Sequence, residues 1–169
     1  MCIRDRPKPE RTHIRNLYAV VRIADEIVDG TTAQANECPE TALELYEEQV
    51  LHAPHHRFHT DPVLHAWART FRECRLNEDH VRAFFASMRA DLTQTTFTRE
   101  ELDTYIYGSA EVIGLMCLDI FLRGRDTPHR RELEDGARAL GSAFQKVNFL
   151  RDLGEDSRAL GRAYFDAPL

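Results

Sequence analysis

Apolar residues recur along most of this chain at intervals of three and four, the period of a helix with one buried face. Leu17, Val20, Val21, Ala24 and Val28 make such a stripe over about residues 10–28, and Pro7 and Pro9 stand just ahead of it. Proline is tolerated there because the first amides of a helix lack internal partners. Gly30 and the Thr31-Thr32 pair weaken that helix, and a second is expected over about Thr41 to Leu51, ended by Pro54. Asp61-Pro62 reads as an N-cap followed by a first-turn proline. Asn77 caps a further helix through Phe84, Phe85 and Met88 to about Leu92. Thr98-Arg99-Glu100-Glu101 resembles a capping box and opens an apolar helix to Leu122. A last helix is expected from about Pro128 to Ser157, stopping near Gly161. Sustained alternation and hairpin dipeptides are missing, so the pattern predicts an all-α bundle.

Composition narrows the function. With 169 residues, 43% hydrophobic and 30% charged, the chain is long enough for one domain with a sizeable core. Its mean hydropathy is −0.47, and no apolar run is read as approaching the length of a membrane span. A net charge of −6 argues against nucleic acid as a partner. Lys8 and Lys146 are the only lysines, so positive charge is almost all arginine, which suits forked contacts to phosphate. Cys2, Cys38, Cys74 and Cys117 form no CxxC pair and read as reduced thiols of a cytoplasmic protein. Met1 to Arg6 lack the apolar stretch of a secretory signal and are read as a non-native or unstructured leader, leaving 7–169 as the domain.

The candidate chemistry lies in two acidic segments. Asp25-Glu26-Ile27-Val28-Asp29 puts two carboxylates four residues apart, on one helix face, and Tyr18 and Arg22 share that face. Far downstream, Asn148, Asp152 and Asp156 repeat the spacing, with Gln145 one turn earlier and Arg151 alongside. Two such columns facing each other would crowd oxygen ligands into a cavity that cations relieve. Magnesium takes carboxylates together with phosphates and water, so a diphosphate held between two acid-lined helices is the chemistry that fits. Metal there would help a carbon–oxygen bond ionise by neutralising the leaving diphosphate.

These segments resemble the squalene/phytoene synthase family. LYAVVRIADEIVDG is similar to its first aspartate-rich motif, and FQKVNFLRDLGEDSRALGRAYF to its second. YIYGSAEVIGLM, residues 105–116, resembles its middle helix. The resemblance implies an isoprenoid-synthase helical bundle, here expected to be truncated at both ends. It implies a transferase that joins two prenyl diphosphates head to head through a cyclopropyl diphosphate. The product would be phytoene from geranylgeranyl diphosphate or, as the alternative, squalene or dehydrosqualene from farnesyl diphosphate. By the same resemblance Asp25, Asp29, Asn148, Asp152 and Asp156 would bind Mg2+, with Mn2+ as a substitute. Tyr18, Arg22, Tyr105, Gln145 and Arg151 would act on the diphosphate or the intermediate. Met88, Ser109, Ile113 and Gly114 would line the prenyl channel, and Tyr164 would contact substrate. NADPH would be needed only for a squalene-type product. A hydrocarbon product fits peripheral association with a membrane, and no obligate protein partner is evident.

Other readings are a family relative serving as an assembly factor, a head-to-tail prenyl synthase or terpene cyclase, and an unrelated helical binding protein. An assembly factor is expected to lose metal ligands, and all five positions are present. His52, His55, His56 and His59 are read as a polar loop broken by Pro54, and Asp91 as an ordinary exposed acid in preference to a partner standing behind the metal ligands.

Overall fold

The structure is a computed structural model and describes residues 8–35, 37–94 and 96–159, with the side chains of Lys8, Ala33 and 152–159 excepted. The first helix, α1 (Lys8–Val28), is followed by the single turn α2 (Thr31–Gln34), then α3 (Pro39–His52) and α4 (Pro62–Cys74). Next come α5 (Glu78–Thr93), α6 (Arg99–Ile106), α7 (Val112–Leu122) and α8 (Arg130–Ala159). No β-strand occurs among the described residues, in agreement with the all-α expectation.

Local chemistry sets most of the boundaries. The Asp61 carboxylate accepts from the amides of Val63 and Leu64, and Asn77 accepts from Asp79. Thr98 and Glu101 complete the reciprocal capping box at the start of α6. Pro54 turns the chain out of α3 into a short 3₁₀ segment, Ala53–His55. There the ring Nε2 of His59 lies 2.9 Å from the Ala53 carbonyl oxygen, and Arg72 of α4 donates to the Pro54 and His56 carbonyls. His55, His56 and His59 therefore sit in a segment tied to α4, while His52 ends α3.

The core lies where α1 crosses α3, α4, α5 and α7. Leu17, Val20 and Ala24 supply the inner stripe of α1, meeting Leu43, Val50, Trp67 and Phe85. Trp67 is buried with its indole N–H donating to the Val50 carbonyl at 3.0 Å, so its apolar area and its polar atom are both accommodated. Truncation of such a side chain to alanine costs about 3–5 kcal/mol.

Two features depart from the sequence reading. The apolar helix expected from Thr98 to Leu122 is not one α-helix, because residues Tyr107–Glu111 form a π turn between α6 and α7. By length and composition the rod Arg99–Leu122 could also cross a membrane, contrary to the expectation that no run approaches that length. In this fold α7 is contacted by α1, α4, α5 and α8, and a helix enclosed on several sides needs apolar residues on several sides.

Helix α8 packs mainly on α7 and the π turn. Glycines make that approach close: a Cβ on Gly141 would lie 2.6 Å from the Ala110 carbonyl oxygen, and one on Gly114 2.5 Å from that of Ala137. Arg130 at the start of α8 pairs with the buried Asp119 of α7 and fixes the other end. This packing carries Gln145 and Asn148 of the second segment to the cavity that Asp25 of the first enters.

Candidate functional site

Helices α1, α5, α7 and α8 and the rod from α6 through the π turn converge on a cavity of about 370 Å3. Asp25 enters from α1, Met88 and Asp91 from α5, and Gln145 and Asn148 from α8. The rod contributes Tyr105, Ser109, Ala110 and Ile113, with Val21, Phe84 and Phe144 completing an apolar lining. The cavity thus combines two carboxylates and two amides with a lining of aromatic, aliphatic and small side chains.

Electrostatics distinguish the carboxylate on α1. Burial raises the Asp25 pKa to about 6, and the negative charge of Asp29 one turn away adds to the rise while Arg22 opposes it. Arg22 is itself engaged by Glu26, whose second carboxylate oxygen accepts from Thr31 Oγ1 at 2.6 Å. Gln145 and Asn148 sit one turn apart on α8, their side-chain amides 3.5 Å from each other. The Ser109 hydroxyl is buried with no hydrogen-bond partner among the described residues.

The residues expected at a site do not all come together. Asp25, Met88, Tyr105, Ser109, Ile113, Gln145 and Asn148 line this one cavity, drawn from four separate stretches of sequence. Gly114 does not line it: its open side faces the Ala137 backbone, and it serves the α7–α8 contact. Tyr18 and Arg22 of α1, and Asp29 in the turn just after it, are exposed, Tyr18 by 64%. Arg151 is exposed near the end of the described side chains. Helix α8 carries residues 152 and 156, but the side chains of Asp152 and Asp156 lie outside the described residues, as does the whole of Tyr164. So does the leader, 1–6.

Asp91 corrects the sequence reading. It is half-buried on the cavity wall rather than an ordinary exposed acid. The signal was available: Phe84, Met88 and Asp91 follow one another at four and three residues, so the acid continues an apolar stripe. Phe144 and Ala110 were also missed, because neither residue type carries recognisable chemistry by itself.

Among the described residues no group of three His, Cys, Asp or Glu side chains comes together as a metal cluster. The donor set still suits a hard cation, which takes carboxylate and amide oxygens. Asp25 is held partly buried beside another carboxylate, an arrangement that a cation stabilises.

Comparison with known proteins agrees with this architecture. The squalene synthase HpnC from Alicyclobacillus acidocaldarius superposes with a TM-score of 0.79 at 29% identity, covering 94% of this chain and 56% of that one. A dehydrosqualene synthase solved in complex with ligand superposes at 0.75 and 30% identity, covering 94% and 52%. In sequence, the phytoene synthase of Arthrospira platensis is 34% identical, covering 94% of this chain and 53% of that protein. The 4,4'-diapophytoene synthase of Staphylococcus haemolyticus is 29% identical, with 94% and 54% covered. The chain spans about half the length of the curated relatives it matches. The profile of the squalene/phytoene synthase family matches residues 1–167, and the chain belongs to that family.

Proposed function

We propose that this chain carries the diphosphate-binding part of a magnesium-dependent transferase that joins two prenyl diphosphates head to head, making phytoene from geranylgeranyl diphosphate. The observation that supports the reading is a single cavity lined both by carboxylates and amides and by apolar side chains. That combination matches a substrate with a charged head and a hydrocarbon tail. Asp25 on α1 and Asp29 just after its end, with Asn148, Asp152 and Asp156 on α8, would hold the metal. The metal would supply charge neutralisation for the departing diphosphate. Gln145, Arg22 and Arg151 would hold diphosphate oxygens, Arg22 after leaving Glu26, and Tyr105 would flank the reacting carbons. Tyr18 and Tyr164 are assigned to substrate contact on the same reading. Relatives of both product classes are similar to this chain, and the phytoene synthase at 34% identity favours the twenty-carbon substrate over the diapophytoene synthase at 29%. Work in the cytoplasm, peripheral to a membrane that receives the product, fits that chemistry. NADPH has no part in it.

The test is binding of geranylgeranyl and farnesyl thiodiphosphate to the purified chain by calorimetry, with and without magnesium. Magnesium-dependent binding that is lost in Asp25→Ala and in Asp152→Ala is the expected result. Tight binding indifferent to both metal and aspartates would sink the proposal.

A further inference from the structure

The π turn in the middle of the cavity wall is left unexplained by the family motifs, and its geometry has a consequence for the wall itself. Tyr105 and Ile113 both face the cavity although eight residues separate them. In an unbroken α-helix, eight residues overshoot two turns by about 80°, so the two side chains would be turned that far apart around the helix. Seven residues fall only about 20° short of two turns. The Val112 amide bonds the Tyr107 carbonyl, five residues back, so this turn holds one residue more than an α turn. The extra residue absorbs the overshoot. Ser109 and Ala110, sequence neighbours that an α-helix would point about 100° apart, then both reach the cavity.

Gly108 lets the wide turn sit where it does. A Cβ there would lie 2.4 Å from the Ala83 carbonyl oxygen and 3.0 Å from the Ser87 Cβ, so the turn rests directly on the backbone of α5. On the other side Ala110 meets Gly141 of α8. The wide turn is thus held between the helices that bear Asp91 and Asn148.

We propose that the π turn Tyr107–Glu111 builds the prenyl wall of this cavity, by keeping Tyr105 and Ile113 in register while adding Ser109 and Ala110 between them, and that Gly108 is its positioning residue. The proposal rests on the prenyl diphosphate reading of the cavity. Its diagnostic is a selective effect on the prenyl tail, with the diphosphate end untouched.

The test uses the 169-residue chain with Ala110 deleted, and separately Gly108→Ala, against wild type. Deletion converts the wide turn into an α turn whose flanks keep their faces, so circular dichroism should show an unchanged helix content and a cooperative melt. Affinity for geranylgeranyl thiodiphosphate should fall about tenfold in both variants, while affinity for inorganic pyrophosphate with magnesium stays within about twofold. The proposal is overturned if the deletion variant loses its fold, since the flanks are then out of register. It is overturned equally if prenyl affinity is unchanged, or if both ligands weaken together. A wild-type chain that does not bind the analogue would count against the functional reading, whereas folding of the deletion variant tests the register without any ligand.

Discussion

The two ends of α1 hold buried polar side chains under opposite conditions. Near its start His13 is enclosed with a full set of partners: Nδ1 lies 2.9 Å from Thr70 Oγ1 and Nε2 3.4 Å from a Glu73 carboxylate oxygen. Asn16 donates to the same Thr70 hydroxyl and to the Ala66 carbonyl, and Arg69 donates to Glu73. A neutral imidazole fits these surroundings, sharing a hydrogen bond with the Thr70 hydroxyl at Nδ1 and facing the Glu73 carboxylate at Nε2. Three turns on, Asp25 is partly buried next to a like charge, and Arg22, the nearby cation, is shared with Glu26. One end joins α1 to α4 by completed hydrogen bonds. The other keeps a charge in surroundings that disfavour it, which is where ligand chemistry is expected. Burial of a polar group alone does not separate the two cases; completeness of its partners does.

Substitutions should make the contrast measurable. The largest effect is expected at the ligand end, where Asp25→Ala should weaken magnesium-dependent binding of a prenyl thiodiphosphate by on the order of 100-fold in calorimetry. His13→Ala should leave that affinity intact while lowering stability by about 2–3 kcal/mol in urea denaturation, because the buried Thr70 hydroxyl loses its imidazole partner and a cavity is left in its place. Equal loss of binding in both variants would erase the distinction between the ends.

A smaller effect of opposite sign is expected from Asp25→Asn. Removing a disfavoured charge should stabilise the metal-free chain by about 1–2 kcal/mol, a figure reduced for solvent screening, read as a higher urea midpoint. Destabilisation by this substitution would mean that the carboxylate is structurally compensated after all.

The smallest effect is on pH dependence, where the two ends should pull in opposite directions. Burial lowers the His13 pKa below 6.5, so the unfolded chain takes up its proton first and this contribution to stability is lost as pH falls through 6.5. Asp25 goes the other way. Its folded pKa of about 6 lies above 3.8, so the folded metal-free chain holds that proton more tightly, and stability falls as pH rises from 3.8 to 6. Melting curves between these limits should steepen with pH in Asp25→Asn and flatten in His13→Gln. Identical slopes in the two variants would refute both assignments.

Much of the fold could be read from the chain because its signals are local. Asp61, Asn77 and Thr98 cap helices by reaching backbone amides two or three residues away, and the apolar stripe of α1 follows from periodicity alone. The candidate ligand columns were legible for the same reason, since a spacing of four places side chains on one face of any helix. The π turn was not legible. Tyr107–Glu111 holds a single glycine and no local signal for a wide turn, and the close approaches to Ala83 on one side and Gly141 on the other come from helices far away in the chain. The assignment of Gly114 to a channel wall met the same limit, because a glycine announces a close approach without naming the neighbour.

By itself, the sequence determined that this protein is helical, where its helices begin, and which residue types face together along α1 and α8. Those properties depend on atoms within a turn or two of each other. Only the tertiary structure decided that Asp91 joins Asp25 and Asn148 at one cavity, that Arg22 is held by Glu26, and that the polar groups around His13 satisfy each other. Such facts come from helices far apart in the chain, and the geometry that brings them together is set by packing at contacts such as Gly108–Ala83 and Gly141–Ala110.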